Sequence, residues 1–276
     1  MSLGFLDVGS VTVEQAADAL EAALAAGLDP EAGPPRGALP VGDGELLVMP
    51  AAAGGYAAVK VVTVGPHEPR VQGVCVLFDA ATLAPVALLD GIALTNLRTA
   101  AVSALAVRRL AAPDARRVVV FGRGPQARAH ADAVAAVRSI EQIDVLGRGA
   151  RGRDALVSAA DVICCCTTAR EPLFDGGLVA EHACVVAIGS HEPAARETDD
   201  VLAARATMVV ESRTSALREA GDVIGAIEAG VLRAEELVTL RDVVHGAELP
   251  PGPRLFKSTG MAWQDAVVAA AVQMRR

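Results

Sequence analysis

Apolar and polar residues follow one pattern before Pro113 and another after it. In the first part, short apolar runs over 45–49, 56–64, 72–78 and 85–89 are separated by Gly, Pro and Asp turn residues. This pattern predicts an antiparallel meander. Thr12 followed by Gln15 predicts a capping box that opens a helix over 13–27. The Pro- and Gly-rich stretch over 28–44 is predicted to be loop, and 94–110 a long amphipathic helix.

After Pro113 the apolar runs are short, rich in β-branched residues and separated by helical or loop segments. They lie over 117–121, 143–146, 162–166, 184–188 and 208–210. Buried strands that alternate with helices are typical of a parallel, doubly wound α/β sheet. The segment between 146 and 162 is short for a parallel crossover, which predicts a shortened connection with one small helix around 154–160. A last helix is predicted over 260–274.

The composition excludes some functions and leaves others open. Hydrophobic residues make up 52% and charged residues 21% of the 276 residues, as in globular proteins. The net charge of -8 argues against a nucleic-acid surface, but a local Lys/Arg pocket for a small anion is compatible with it. We find neither a run of about 18 apolar residues nor a secretory signal, and therefore expect a cytoplasmic protein without a membrane segment.

The cysteines do not form a recognisable disulfide or zinc pattern. Cys164, Cys165 and Cys166 are consecutive, and Cys75 and Cys184 are isolated. Neighbouring residues of a strand point to opposite faces, so we expect free thiols that fill a buried strand, and no metal site.

A glycine-rich turn follows the first run after Pro113. Gly122 and Gly124 match the first two glycines of a G-x-G-x-x-G/A fingerprint, and Ala127 takes the third place. The first glycine permits a tight turn, the second lets the backbone approach a pyrophosphate, and a small third residue lets the helix pack closely. The pattern predicts a Rossmann-type dinucleotide-binding domain; the alternative is a tight strand–helix turn that binds nothing.

The choice of coenzyme depends on the end of the next strand. An acidic residue there favours NAD, because it binds the ribose hydroxyl. Here the strand is followed by Gly147 and Arg148. Arg148 could pair with a 2′-phosphate, which favours NADP over NAD; the alternative is a solvated loop arginine.

Several segments together resemble the ornithine cyclodeaminase/mu-crystallin family, and they occur in the family's order at 47–51, 59–62, 88–101, 122–127, 160–163, 187–190, 196–197 and 255–260. The resemblance implies a homodimer of two-domain subunits. An α+β domain over 1–112 with 256–276 would bind substrate and form the dimer, with the C-terminal helix returning to it. A Rossmann domain over 113–255 would bind the coenzyme.

The family's substrates are amino acids or cyclic imino acids, whose carboxylate is held by basic residues. The resemblance places Arg36, Lys60 and Arg98 in that role, with Thr259 also at the substrate. Lys60 lies among apolar neighbours, where a charge without a partner is unfavourable. Arg98 has a planar guanidinium group, which can donate two hydrogen bonds to a carboxylate. The alternatives are a lysine that extends to water at a strand edge and an internal ion pair for Arg98.

The resemblance also implies the coenzyme contacts. Pro125 and Gln126 match the phosphate-binding turn, and further contacts to the coenzyme would come from Arg98, Thr167, Ile188, Gly189, Ser190 and Ser258. Thr167 and Ser258 could equally be helix caps or turn residues.

One position departs from the cyclodeaminases and alanine dehydrogenases of the family. Their acid/base aspartate is replaced here by Ser190 or His191. Deamination needs a base at the substrate nitrogen, whereas reduction of a preformed imine needs only a hydride, a carboxylate clamp and a proton. We expect His191 and Lys60 to be the catalytic groups; the alternative for His191 is a surface-loop histidine. His130 is interpreted as helix packing, and Asp199, Asp200, Glu219 and Asp222 as solvated carboxylates or caps.

The sequence thus favours an NAD(P)H-dependent reductase of a small cyclic imino acid of the pyrroline-2-carboxylate or piperideine-2-carboxylate type. Two alternatives stay open at this point. One is a lyase that converts ornithine to proline and ammonia with bound NAD. The other is an NADP-binding protein without turnover.

Overall fold

The computed structural model describes residues 3–67 and 69–275, which form two compact units. The first unit extends to Val102 and resumes at Met261, and the second is Ser103–Gly260. These boundaries differ from the predicted ones, which were placed after 112 and 255. The helix over 91–110 continues across the boundary at Val102, and residues 254–257 form a strand that pairs inside the second unit. The functional roles of the two units stay predictions.

The first unit contains a mixed sheet. Its strands are β1 (Phe5–Leu6), β2 (Gly37–Val41), β3 (Gly44–Ala53), β4 (Tyr56–Val64), β5 (Val71–Asp79) and β6 (Pro85–Asp90). In the described residues the order is β1-β6-β5-β4-β3-β2, antiparallel throughout except for β1 beside β6. The predicted meander is confirmed.

Strand β2 corrects the prediction of a loop over 28–44. It contains Pro40 and, among the described residues, pairs only with β3, at the edge of the sheet. A proline cannot donate a backbone hydrogen bond, so among strands it is tolerated at an edge. This edge position explains why a strand forms in a segment with the composition of a loop.

Two helices complete the N-terminal part. Helix α1 (Val13–Ala25) begins at the predicted capping box, with Thr12 Oγ1 accepting from the amide of Gln15 at 3.3 Å. Helix α2 (Gly91–Leu110) starts three residues earlier than predicted, because Asp90 caps it by accepting from the amides of Ile92 and Ala93.

The second unit contains a parallel sheet. Its strands are β7 (Arg117–Phe121), β8 (Gln142–Leu146), β9 (Val162–Cys165), β10 (Cys184–Ala187), β11 (Thr207–Val210), β12 (Val238–Thr239) and β13 (Arg254–Lys257). Over this part of the chain the order is β12-β11-β13-β10-β9-β7-β8 and every pairing is parallel. The predicted α/β fold is confirmed, although the short strands β12 and β13 were not predicted.

Its helices are α3 (Pro125–Val137), α4 (Arg153–Ala159), α5 (Asp200–Arg205), α6 (Arg213–Glu219), α7 (Gly221–Glu228) and α8 (Leu240–Val244). The seven-residue α4 is the small helix predicted for the shortened crossover between β8 and β9. Strand residues such as Ile163 and Val185 form the core, and the rings of Phe121 and Phe174 stack at 5.3 Å.

The last helix, α9 (Ala262–Gln273), belongs to the first unit and packs on β3, β4 and α1. The predicted return of the C-terminus to the first domain is confirmed. Within residues 3–67 and 69–275, no helix combines the length and apolar character needed to cross a membrane. The five cysteines are free thiols, and no cluster of metal-ligating side chains occurs in the described part of the chain.

Candidate active site

Except for Arg98, which lies in α2 of the first unit, the residues predicted to bind the coenzyme lie at or just after the carboxyl ends of neighbouring parallel strands. Gly122 follows β7, Arg148 follows β8 and Thr167 follows β9. The segment 188–190 follows β10, and Ser258 follows β13. From β7 the chain goes first to β8 on one side and then to β9 on the other, so the order reverses at β7. In open α/β sheets, ligands bind outside the strand ends at such a switch point.

The glycine turn fits the predicted fingerprint. Gly122 has a φ of +118°, and a Cβ at this residue would lie 2.4 Å from the carbonyl oxygen of Cys166 and 3.4 Å from Cβ of Ala127. Only glycine therefore fits. Gly124 caps α3 without a side-chain hydrogen bond, and a Cβ there would meet nothing within 4 Å. The open space and the first-turn amides of α3 suit a pyrophosphate.

Two arginines, Arg148 and Arg123, lie near the tip of β8. Arg148 is exposed, as in the alternative of a loop arginine, and its role stays a prediction. The side chain of Arg123 lies against Gly147, since a Cβ on Gly147 would be 2.7 Å from its Nε. Arg123 stands between the two fingerprint glycines, a signal that could have identified it from the sequence.

A buried carboxylate joins the ends of β9 and β10. Glu197 accepts hydrogen bonds from the amide and the hydroxyl of Thr167 at 2.8 and 2.7 Å, and from the amide of Gly189 at 2.7 Å. Burial raises the pKa of its carboxyl, while Lys257 and these hydrogen bonds oppose the rise. Glu197 was not predicted to be a site residue, because its partners Gly189 and Thr167 lie 8 and 30 residues away along the chain.

Lys257 and Asp222 form an ion pair of 2.8 Å with both side chains fully buried. Burial opposes ionisation of Asp222, but Lys257 and the hydrogen bonds from Thr198 hold its pKa below the ordinary value. The interpretation of Asp222 as a solvated carboxylate or cap is therefore wrong. Asp199 does cap a helix, accepting from the amide of Leu202 at 2.9 Å.

Ser258 and Thr259 contact a carboxylate at the end of β11. Ser258 Oγ donates to Glu211 at 2.7 Å, and the amide of Thr259 donates to the other oxygen at 3.0 Å. Thr259 Oγ1 lies 3.2 Å from Ser215 Oγ. The bond from Ser258 matches its alternative of a turn residue. Thr259 belongs to the second unit, whereas the other predicted substrate residues belong to the first, and ligand roles for Ser258 and Thr259 stay predictions.

In the first unit, Lys60 and Arg98 converge on Asp265 of α9. Lys60 Nζ lies 2.9 Å from both carboxylate oxygens, and Arg98 Nε lies 3.3 Å from Oδ1. Lys60 also donates to Thr95 Oγ1 at 3.2 Å, and Arg98 Nη1 to Gln264 Oε1 at 3.0 Å. Lys60 is only 1% exposed, so the alternative of a lysine that extends to water is wrong. Arg98 does form the internal ion pair given as its alternative.

This group, which we call the cation cluster (Lys60, Arg98 and Asp265), has two cations and one carboxylate. Burial lowers the pKa of Lys60 to about 8; Asp265 opposes this effect and Arg98 adds to it. With Lys60 protonated, the cluster carries one net positive charge and is suited to an anionic ligand. Asp265 was missed because it is 205 residues from Lys60.

The remaining predicted residues lie in loops or in the core. Arg36 is half-buried immediately before β2, and His191 is half-buried in the loop after β10. Ser190 is buried, and its Oγ accepts from the amide of Glu192 at 3.0 Å. Roles for these three stay predictions. His130 is fully buried in α3, with ring nitrogens 2.8 Å from the Gln126 carbonyl and from Ser103 Oγ, in agreement with a packing role.

Comparison with known proteins gives matches along the whole described chain. Delta(1)-pyrroline-2-carboxylate reductase of Bacillus cereus is 33% identical over 257 residues, which cover 81% of this chain and 79% of that protein. The structure of the Thermococcus litoralis enzyme of the same name, in complex with NADH and L-proline, superposes with a TM-score of 0.88 at 27% identity, covering 99% and 97% of the two chains.

An archaeal alanine dehydrogenase dimer with bound NAD superposes with a TM-score of 0.88 at 27% identity, covering 99% of this chain and 95% of that one. The family model of the ornithine cyclodeaminase/mu-crystallin family matches residues 5–158 and 151–275. The resemblance inferred from sequence segments is thereby confirmed: this chain belongs to the ornithine cyclodeaminase/mu-crystallin family.

Proposed function

We propose that this protein is an NAD(P)H-dependent reductase of a small cyclic imino acid of the pyrroline-2-carboxylate type. The observation that carries the proposal is the net positive charge of the buried cation cluster, which suits a carboxylate. The glycine turn and open helix N-terminus of the second unit suit a dinucleotide. The relatives named pyrroline-2-carboxylate reductase support this combination.

The reaction assigns a task to each group. When bound, the reduced coenzyme would supply a hydride for the imine carbon. Lys60 and Arg98 hold the carboxylate, and their buried charges orient it more strongly than solvated ones would. His191 or Lys60 provides the proton that the imine nitrogen acquires. Because Lys60 has a pKa of about 8, it can both bind an anion and release a proton near neutral pH.

NADP(H) is the preferred coenzyme in this proposal. The tip of β8 presents Gly147, Arg148 and Gly149, so none of these side chains can accept a hydrogen bond from the ribose as a carboxylate does. Arg123 lies against Gly147, and together with Arg148 it suits a 2′-phosphate. A lower KM for NADPH than for NADH would support this preference, and the reverse order would contradict it.

We further propose a homodimer. Leu39 and Val41 of the edge strand β2 are 58% and 53% exposed, an unfavourable state for large apolar side chains at the edge of a sheet. The similar alanine dehydrogenase is described as a dimer. Sedimentation equilibrium should give a dimer for the wild type and a monomer for Leu39→Asp; Leu83→Asp, at an exposed leucine outside β2, is the matched control. We also propose a cytoplasmic location, consistent with the free thiols.

A spectrophotometric assay tests the main proposal. NADPH and NADH are each incubated with pyrroline-2-carboxylate, piperideine-2-carboxylate and a panel of L-amino acids. We expect coenzyme oxidation with the cyclic imines. Release of ammonia from ornithine without net coenzyme consumption would instead identify a lyase, and coenzyme binding without any turnover would identify a binding protein.

A further inference from the structure

Glu197 makes three hydrogen bonds from a fully buried position. Its Oε1 accepts from the amide and the hydroxyl of Thr167, and its Oε2 accepts from the amide of Gly189, all at 2.7–2.8 Å. Every partner is an N–H or O–H donor. A carboxylate can accept all three bonds, whereas a glutamine would direct its own N–H₂ group at one of them.

These bonds join the two loops that are predicted to contact the nicotinamide ring. Thr167 follows β9, and Gly189 follows the adjacent parallel strand β10. The fit is tight, because a Cβ on Gly189 would lie 2.0 Å from the carbonyl oxygen of Thr167 and 2.4 Å from Glu197 Oε1. One side chain therefore determines the spacing of two strand ends.

The backbone of Glu197 is itself held in place. Asp222 Oδ1 accepts from the amides of Glu197 and Thr198 at 2.9 and 2.8 Å. Asp222 is also paired at 2.8 Å with Lys257, the last residue of β13, which lies beside β10. The position of Glu197 is thus coupled to three neighbouring strands.

We propose that Glu197 is a positioning residue for coenzyme binding, which acts through Thr167 and Gly189 without touching the coenzyme. The inference rests on the proposed function, because it concerns the loops assigned there to the coenzyme. Two of the backbone amides in these loops point at Glu197, so their orientation depends on its negative charge. Loss of that charge would release both loop ends and leave the strands themselves in place.

The test compares Glu197→Gln with Asp199→Asn. Asp199 accepts from the amides of Leu202 and Gly176 with separate oxygens, at 2.9 and 2.8 Å, so both changes introduce the same kind of mismatch. Only Glu197 contacts the predicted coenzyme loops. For each protein, calorimetric titration gives the Kd for NADP⁺ and NAD⁺, hydrogen exchange gives the protection of the Thr167 and Gly189 amides without coenzyme, and thermal unfolding gives Tm.

We expect Glu197→Gln to raise the coenzyme Kd about tenfold or more and to reduce protection at both amides, because a buried donor is left without an acceptor. In turnover, its KM for coenzyme should rise while the KM for the imine is unchanged. Asp199→Asn should lower Tm without changing the Kd. Glu197→Asp, which keeps the charge but shortens the reach, should be intermediate, and it decides the question if the glutamine variant does not fold.

The inference is overturned if Glu197→Gln binds coenzyme with the wild-type Kd, or if both variants raise the Kd by the same factor. The second outcome would show a general loss of structure. A wild-type protein that binds neither coenzyme would contradict the proposed function instead, so the two failures are distinguishable.

Discussion

The two predicted ligand sites are built by different means. In the first unit, the cation cluster consists of charged side chains, with Lys60 and Arg98 sharing one carboxylate. In the second unit, the glycine turn and the strand ends offer mainly backbone groups to a ligand. The buried side chains of Glu197 and Glu211 accept hydrogen bonds from the backbone of these strand ends. In the proposed function, anion binding depends on charge in one unit and on backbone shape in the other.

The difference has a consequence for mutation. A charge-based site is most sensitive to the removal of a cation. A backbone-based site is sensitive to an added methyl group. The following experiments separate these two kinds of sensitivity.

The largest effect is expected for Arg98→Met. The change removes the guanidinium group. Lys60 and Asp265 then neutralise each other, so the cluster loses its net charge. We predict a fall in kcat/KM of about a thousandfold, equivalent to about 4 kcal/mol. Arg98→Lys, which keeps the charge but not the guanidinium group, should retain part of the activity. Equal losses in both variants would show that charge is not the decisive property.

Acid should destabilise the second unit through His130. Burial lowers its pKa from 6.5 to about 4, so the folded protein binds this proton less readily than the unfolded chain. Stability is therefore highest above pH 6.5 and is lost as the pH falls, by about 3 kcal/mol at pH 4. Urea unfolding of wild type and His130→Gln at several pH values measures this contribution. The exposed His67→Gln should keep the wild-type slope; a wild-type slope in His130→Gln would contradict the prediction.

Substitution by alanine should distinguish the roles of the two glycines of the turn. Gly122→Ala introduces a Cβ 2.4 Å from a carbonyl oxygen at a positive φ, so we expect a lower Tm and a coenzyme Kd raised about a hundredfold. Gly124→Ala meets no protein atom within 4 Å and should keep the Tm, while its methyl group hinders the pyrophosphate. Titration and thermal unfolding check both. A wild-type Kd for Gly124→Ala would show that the coenzyme does not approach this residue.

Alkali should weaken the cation cluster. The pKa of Lys60 is about 8, so its charge is present below that pH and is lost above it. We predict that the KM for the imino acid rises by up to about tenfold per pH unit above pH 8. Lys60→Arg, which stays charged, should remove this dependence. The same pH dependence in both proteins would assign the titration to another group.

Contiguous features were predictable from the sequence. The strands β4 and β7 and the glycine turn depend on neighbouring residues, and the structure has them where the pattern placed them. Asp265 and Glu197 were not identified, because their roles arise from contacts between distant parts of the chain. Strand β2 was missed for another reason: its pairing at a sheet edge overrides the loop-forming composition around Pro40.

The central claim is that the cation cluster binds a carboxylate. Calorimetric titration of the coenzyme-loaded protein with L-proline and with prolinamide tests it most directly, because the two ligands share the ring and differ in the negative charge. We predict binding of L-proline by the wild type, at least tenfold weaker binding by Arg98→Met, and no measurable binding of prolinamide. Equal affinities for the two ligands, or wild-type affinity of Arg98→Met for L-proline, would contradict the account.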